Sequence, residues 1–313
     1  MKHTLWIFVT LIFTLACSFS STPFPSTTAQ DAPAPDSVSV TVPPLEVASA
    51  TPAPVVAPVS TGTVLYISGT MHIETKTDSW PRDVDAFLAF LEAATNAGMR
   101  WSIGADVGWL EGGVRVQEII QRASAMGVQW DVHTHDENNR AKAAYLLTQF
   151  GVTPTSVVSG MQIDEFDGLS QQLTYQGYTW TPQVVWGGVQ CVGHKPGCDD
   201  TSVALYRPTS SAQYDLHDPN GKLIRVGNTD HQIASADQLL AQIAAGQYSV
   251  PVLQFTLMIE PETLRIAGST TDDLDVILAF VERVKQNPAV RFATIEETAQ
   301  AWVSAGSVPI QIP

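Results

Sequence analysis

The chain has 313 residues, of which 44% are hydrophobic, and its 31 acidic and 16 basic side chains give a formal net charge of −15. This length and apolar content are typical of a globular protein with a substantial core. Nucleic acids and anionic membrane surfaces are bound through clustered Lys and Arg, so the acidic excess argues against both as partners.

The N-terminus predicts export. A short basic start, MKH, precedes the apolar run TLWIFVTLIFTLA, which is too short for a comfortable membrane span, and Cys17 follows at once. The TLAC ending resembles a bacterial lipobox, in which the cysteine is lipidated. Residues 1–17 therefore predict a signal peptide. The mature protein is either a lipoprotein on the extracytoplasmic face, touching the membrane only through its lipid anchor, or secreted after ordinary cleavage.

The segment 18–60 is rich in Pro, Ser, Thr and Ala, cannot bury enough apolar surface to fold, and predicts a disordered linker. A folded domain is expected over 61–306, with a C-terminal tail at 307–313. Within the domain, Cys191 and Cys198 lie in one short loop, and an exported protein is expected to join them in a disulfide. The alternative is a metal site that includes His194.

From residue 62 onward, short apolar runs alternate with amphipathic stretches. Strands are predicted at 63–68, 99–106, 128–135, 156–163, 178–186, 222–228, 250–259 and 290–295. Helices are predicted at 81–98, 114–127, 140–151, 167–177, 236–246, 272–286 and 297–306. About eight βα-like units predict a single α/β domain whose parallel strands form a (β/α)7–8 barrel. No glycine-rich loop follows the first strand, which disfavours a dinucleotide-binding fold.

The stretch GVQWDVHTHDENNR at 127–140 places Asp131, His133, His135 and Glu137 at every second position. Side chains on a strand alternate between faces, so these four are expected on one face. Two imidazoles and two carboxylates are costly to bury together unless something binds them.

The first strand ends in GTMHIET, where His72 and Glu74 share a face in the same way. The C-terminal ends of barrel strands meet at one mouth, so these residues are expected near His133 and His135. Imidazole nitrogens and carboxylate oxygens are zinc ligands, and the pattern predicts a divalent metal, zinc in the first place, held by both imidazoles with one or both of His72 and Glu74. Asp131 or Glu137 is then expected to orient an imidazole or to act as a base. The alternative is a structural polar cluster without metal.

The order of these features over residues 63–303 resembles the polysaccharide-deacetylase family, the relatives of carbohydrate esterase family 4, which fold as a distorted (β/α)7 barrel. The HIE at 72–74 stands where that family has an acidic motif, and HTHDE at 133–137 stands where it has a His-Ser/Thr-x-x-His motif. Glu137 replaces the second histidine of that motif. The late histidine of the family is missing, and Glu260 in LMIEPE and His231 in GNTDHQ are the nearest candidates.

The resemblance implies removal of an acetyl group from an N-acetylated sugar by metal-bound water. The expected substrate is a cell-envelope, peptidoglycan-type or extracellular carbohydrate, and the candidate catalytic residues are Asp131, Glu137, Glu260 and His231. Four tryptophans near strand ends could stack on sugar rings or simply pack: Trp80, Trp109, Trp180 and Trp186. Two other functions stay open. One is a surface lipoprotein that binds carbohydrate without catalysis, and the other is a barrel metallohydrolase of the amidohydrolase or phosphoesterase kind.

Overall fold

The computed structural model describes residues 62–75, 79–187, 203–227, 233–264 and 274–310. The predicted signal peptide, the linker, all three cysteines, His194 and His231 lie outside these ranges, so the predictions made for them are not tested. Within the described ranges, no helix has the length and apolar character needed to cross a membrane.

Thirteen strands and eight α-helices are formed by the described residues. The strands are β1 (Val64–Ile73), β2 (Trp101–Ala105), β3 (Gln129–His133), β4 (Val157–Ser159), β5 (Leu173–Tyr175), β6 (Tyr178–Trp180), β7 (Val184–Trp186), β8 (Leu205–Tyr206), β9 (Pro208–Ser210), β10 (Gln213–His217), β11 (Ile224–Val226), β12 (Val252–Met258) and β13 (Val290–Phe292). The helices are α1 (Val84–Ala97), α2 (Val107–Gly112), α3 (Val116–Ala125), α4 (Arg140–Gln149), α5 (Phe166–Leu169), α6 (Ile233–Ala244), α7 (Leu274–Val284) and α8 (Ile295–Ser304). Short 3₁₀ helices lie at Glu137–Asn139, Ile163–Glu165 and Pro261–Thr263.

The main sheet has the strand order β12-β1-β2-β3-β4-β7-β11-β8. Every pairing from β12 to β11 is parallel, and only β8 runs antiparallel to its neighbour. The strand β13 pairs with the first half of β1, and β2 pairs with the second half. The side-chain amide of Gln254 in β12 donates a hydrogen bond to the carbonyl of Gly227, just after β11, at 2.8 Å. The seven parallel strands are therefore bent into a nearly closed barrel, which confirms the predicted fold class.

The strand β1 shows how the sequence makes a barrel with a polar interior. Its alternate residues Ser68, Thr70 and His72 are buried, although they are polar. On the opposite face of the strand, Ile67, Met71 and Ile73 belong to the apolar core. A strand covered on both faces is buried throughout, and here the two faces differ in chemistry. The polar face continues to the C-terminal end of the strand, at the rim of the barrel, where the candidate site described below lies.

The N-terminal end of the barrel is closed by α8. Thr294 caps this helix by accepting a hydrogen bond from the backbone N–H of Glu297, and the Glu297 side chain accepts one from the Thr294 backbone in return. The backbone N–H of Ile295 donates to Ser102 Oγ at 2.9 Å, and Glu296 accepts from the backbone of Ser156 at 2.8 Å. The helix thus fills the end of the barrel opposite the rim and leaves the rim as the place for a site.

The structure corrects the predicted helix at 167–177. Only Phe166–Leu169 is helical, and β5 and β6 then form an antiparallel hairpin. Gln176 and Gly177 both have positive φ, 46° and 82°, which is the turn geometry that favours a two-residue hairpin. The Tyr- and Thr-rich flanks of this turn favour strands over a helix.

Two further boundaries differ from the predictions. The strand predicted at 178–186 is divided into β6 and β7, which belong to different sheets; Pro182, which lacks a backbone N–H, lies between them. The predicted tail at 307–313 is at least partly integrated, because Ile310 pairs with Leu205 through two backbone hydrogen bonds of 2.9 and 3.1 Å.

Candidate metal centre

Glu74, His133 and His135 come together at the C-terminal rim of the barrel. One ligand atom of each lies within 4.8 Å of the others. Glu74 Oε2 is 3.5 Å from His133 Nε2 and 3.4 Å from His135 Nε2. The three residues come from the ends of β1 and β3, which are separated in the sheet by β2. The face-sharing pattern of the sequence predicted these three as ligands.

The cluster is buried on one side and open on the other. The side chains of His133 and Glu74 are 1% and 5% exposed, whereas that of His135 is 25% exposed. A catalytic zinc site has three protein ligands and keeps one coordination position for water or substrate. Two imidazoles and one carboxylate with a single open side fit this description.

His133 is held by the neighbouring strand. Its Nδ1 forms a 2.8 Å hydrogen bond with Ser159 Oγ at the end of β4, and its Nε2 is buried with no hydrogen-bond partner among the described residues. Burial lowers the pKa of His133, despite the opposing effect of Glu74, and so favours the neutral imidazole. A neutral ring with Nδ1 tied to a hydroxyl presents Nε2 as a metal ligand, so the donor set fits a cation.

His72 faces the same interior but is not one of the three clustered residues. Its ring stacks on that of His133, with centroids 3.9 Å apart and planes at 26°, and meets Trp186 edge-on at 4.9 Å. The described ring contacts of His72 are thus with His133 and Trp186, and its role as a ligand stays a prediction.

Glycines make room for this packing. A Cβ on Gly104 in β2 would lie 2.9 Å from His133 Cβ and 3.3 Å from His72 Cδ2. A Cβ on Gly160, whose φ is 76°, would likewise lie 3.1 Å from His133 Cε1. The absence of a side chain at both glycines leaves room for the two imidazoles to lie side by side.

Asp106 is a site residue that the sequence analysis missed. It follows β2 directly, between the strands that carry Glu74 and His133, and it caps α2 by accepting a 2.6 Å hydrogen bond from the backbone N–H of Trp109. Burial raises its pKa, and the negative charge of Glu74 raises it further. Its position at the end of the strand predicted at 99–106 was the available signal, since neighbouring strand ends meet at the rim.

Asp131 lies away from the cluster. Its carboxylate accepts a hydrogen bond from Thr155 Oγ1, and Ser102 and Glu296 are its other polar neighbours, towards the end of the barrel that α8 closes. Burial raises its pKa to about 8. It contacts neither imidazole, and the residue that orients His133 is Ser159.

Glu137 and Glu260, two other predicted catalytic residues, are not members of the three-residue cluster. Glu137 is exposed and begins the 3₁₀ helix Glu137–Asn139. Glu260 Oε2 lies 3.0 Å from Ser79 Oγ, which also contacts Glu262 and the carbonyl of His72. Glu260 is therefore beside the first strand of the site without belonging to the cluster. His231 lies outside the described ranges.

The four tryptophans considered for sugar stacking differ in their exposure to solvent. Trp109, Trp180 and Trp186 are 2%, 6% and 2% exposed and belong to the core. Trp80 is half-buried, follows Ser79 and carries the guanidinium of Arg82 at 4.6 Å from its ring centroid. Among these four residues, only Trp80 offers an accessible ring near the site.

No known family profile matches the sequence, and no curated protein matches it. Among solved structures, the chain is similar to a protein assigned as a glycoside hydrolase/deacetylase from Parabacteroides distasonis, with 11% identity, coverage of 79% of this chain and 73% of that one, and a TM-score of 0.49. It is also similar to a 4-alpha-glucanotransferase from Thermococcus litoralis, with 11% identity, 79% and 39% coverage and a TM-score of 0.45. A third is a family 4 carbohydrate esterase from Bacillus anthracis, with 7% identity, 77% and 85% coverage and a TM-score of 0.34. Similarity at these identities concerns the fold, and the assignments of the site rest on the geometry of this chain.

Proposed function

We propose that the chain is a zinc-dependent hydrolase that removes the acetyl group from an N-acetylated sugar outside the cytoplasm. The observation that carries this proposal is the Glu74–His133–His135 cluster at the open rim of the barrel. A bound zinc ion of this type lowers the pKa of a coordinated water and thereby supplies a hydroxide-like nucleophile near neutral pH.

The residues around the cluster have separate tasks in this proposal. Ser159 fixes the ring of His133 so that Nε2 faces Glu74. The ring of His72 packs on His133 and Trp186 packs on His72, so the two rings exclude solvent from the buried side. Asp106 accepts hydrogen bonds from the backbone N–H groups of Trp109 and Thr75, and so holds the start of α2 against the turn that follows Glu74. Asp131 has no such task in this proposal, because its carboxylate is hydrogen-bonded to Thr155 and lies among Ser102 and Glu296, away from the cluster.

The carbohydrate part of the proposal is supported by the order of motifs along the chain and by Trp80. A half-buried indole next to the rim can pack against the apolar face of a sugar ring. Export is supported by residues 1–17, whose basic start, apolar run and cysteine predict processing at the membrane.

Metal content and deacetylation, measured on the same samples, test the proposal. The wild-type protein is expected to bind one zinc ion and to release acetate from N-acetylated chitin oligosaccharides or peptidoglycan fragments. His133→Ala is expected to lose both properties. The matched control is His217→Gln, which changes a histidine packed near Trp302 in a different part of the fold and should keep both.

Two results would overturn the hydrolase proposal. Retention of stoichiometric zinc by His133→Ala would show that the cluster is not the metal site. Zinc binding together with sugar affinity but no acetate release would favour a carbohydrate-binding protein that has lost catalysis.

A further inference from the structure

Beside the candidate metal centre, a cavity opens at the rim between the segments that follow β3 and β4. Its volume is about 260 Å³, and its walls include Glu137, Arg140, Glu165, Gly168, Leu169 and Leu173. We call it the Arg140 pocket. It adjoins the metal centre along the chain, because Glu137 is two residues after His135 and β4 supplies the Ser159 that holds His133.

Arg140 is the unusual member of this pocket. It is a cationic residue only 3% exposed, at the first position of α4. Its Nη2 forms an ion pair with Glu165, whose Oε2 also accepts a 3.0 Å hydrogen bond from the backbone N–H of Gln162. The Nε of Arg140 is buried and has no hydrogen-bond partner among the described residues. Buried donors are normally satisfied, so this N–H points to an acceptor that arrives with a ligand.

The charges in the pocket restrict the ligand. Glu165 neutralises Arg140, which leaves the exposed carboxylate of Glu137 as the remaining charge on the walls. An anionic ligand such as a phosphate or a carboxylate is therefore disfavoured. Leu173, which is half-buried, supplies an apolar surface, and Glu137 can accept hydrogen bonds from hydroxyl groups. A neutral ring with hydroxyl groups on its edge and an apolar face matches this arrangement.

We propose that the Arg140 pocket binds one neutral pyranose unit of a carbohydrate chain. Arg140 Nε–H donates to a ring substituent oxygen, the carboxylate of Glu137 accepts from a hydroxyl, and Leu173 packs against the face of the ring. In the context of the proposed function, on which this placement rests, the unit in the pocket neighbours the unit presented to the metal centre. Binding itself does not require the metal.

The test uses a substitution that fills the pocket without a clash. Gly168 lines the pocket in α5, has an ordinary φ, and a Cβ at this position would meet no atom within 4 Å. Gly168→Phe is therefore expected to occupy the cavity while the protein stays folded. Gly112 is the matched control, since it also lies in a short helix, is exposed and has open space around its Cβ, but lies outside the pocket.

Calorimetric titration in EDTA with tri-N-acetylchitotriose, and separately with cellotriose, gives the readout. The wild-type protein is expected to bind at least one of the two, and Gly168→Phe is expected to weaken that binding at least tenfold, whereas Gly112→Phe leaves it unchanged. Preference for the first sugar identifies an acetamido oxygen as the acceptor for Arg140, and equal affinity identifies a hydroxyl.

A second variant protects the conclusion from a folding defect in the first. Arg140→Lys keeps the charge opposite Glu165 but removes the Nε–H, and it is expected to lose at least fivefold in affinity, measured at a temperature at which thermal unfolding shows both proteins to be folded. Absence of sugar binding to the wild type, or equal affinity in the wild type and Gly168→Phe, would overturn the pocket assignment. If the hydrolase proposal fails while the pocket assignment holds, the wild-type protein will bind the sugar in EDTA but will either bind no zinc or release no acetate.

Discussion

The rings of His72 and His133 lie in parallel stacking contact, 3.9 Å between centroids. A ring in this position supports the orientation of its neighbour but cannot easily direct its own nitrogens at the same cation, because the two rings face each other. We therefore expect His72 to support His133 rather than to bind the metal, although both histidines lie at C-terminal strand ends on the inward face.

His72→Phe tests this distinction. Phenylalanine preserves a flat ring against His133 and removes both nitrogens, so zinc stoichiometry is expected to remain near that of the wild type, with an affinity change of less than about tenfold. Elemental analysis and a competition titration with a chelating dye give the answer. Loss of the metal in this variant, at unchanged folded content, would restore His72 as a ligand.

Ser159→Ala tests how the ligand ring is held. The hydrogen bond to Nδ1 fixes the direction of His133 Nε2, and the loss of such a partner typically weakens metal binding by about 10–100-fold. A chelator competition assay measures the change. Ser304→Ala, on the exposed side of α8, removes a hydrogen bond to the Gln300 carbonyl far from the site and should leave the zinc affinity as it was. Equal affinities in the two variants would contradict the role assigned to Ser159.

The alternation rule predicted the face of these residues correctly but not their depth. Asp131 and His133 do share a face, yet two residues along a strand correspond to a rise of about 6.5 Å. That distance is enough to take Asp131 from the rim to the polar layer beside Thr155. Glu137 does not continue the alternation on the strand, because β3 ends at His133 and a 3₁₀ helix begins at Glu137. Periodicity cannot show where a strand stops.

The residues that the sequence analysis missed carry no metal-ligand signature. Ser159 acts through a hydroxyl, which is common at any strand end, and its importance depends on the neighbouring position of β4 in the sheet. Gly104 matters because it lacks a side chain opposite two imidazoles. Such features depend on which strands are adjacent, and the strand order β1-β2-β3-β4 becomes available only with the fold.

The buried carboxyl group of Asp131 predicts a dependence of stability on pH. Burial raises its folded pKa to about 8, above the ordinary value of 3.8, so the folded state holds a proton that the unfolded state has lost between these pH values. The free energy of unfolding should therefore fall as pH rises through this window. Asp131→Asn keeps an acceptor for Thr155 and cannot ionise. In urea unfolding, the free energy of unfolding of the variant, relative to that of the wild type, should rise by roughly 1–3 kcal/mol between pH 5 and pH 7. A constant difference between the two proteins would refute the assigned shift.

The close approach at Gly104 predicts that a single methyl group disturbs both fold and site. An added Cβ lies 2.9 Å from His133 Cβ and 3.3 Å from Ser159 Oγ, and the first distance is too short for any two side chains without a shift. Since His133 is held by the backbone of β3, Gly104→Ala is expected to cost about 1–3 kcal/mol of stability and to displace the imidazole from Glu74. Zinc affinity should fall by at least tenfold in the fraction that folds.

Gly62→Ala, where the added Cβ meets no atom within 4 Å, provides the control. Chemical unfolding and chelator competition on both variants separate the two effects, and an alanine at 104 that keeps full zinc affinity would show that the imidazole does not need this space.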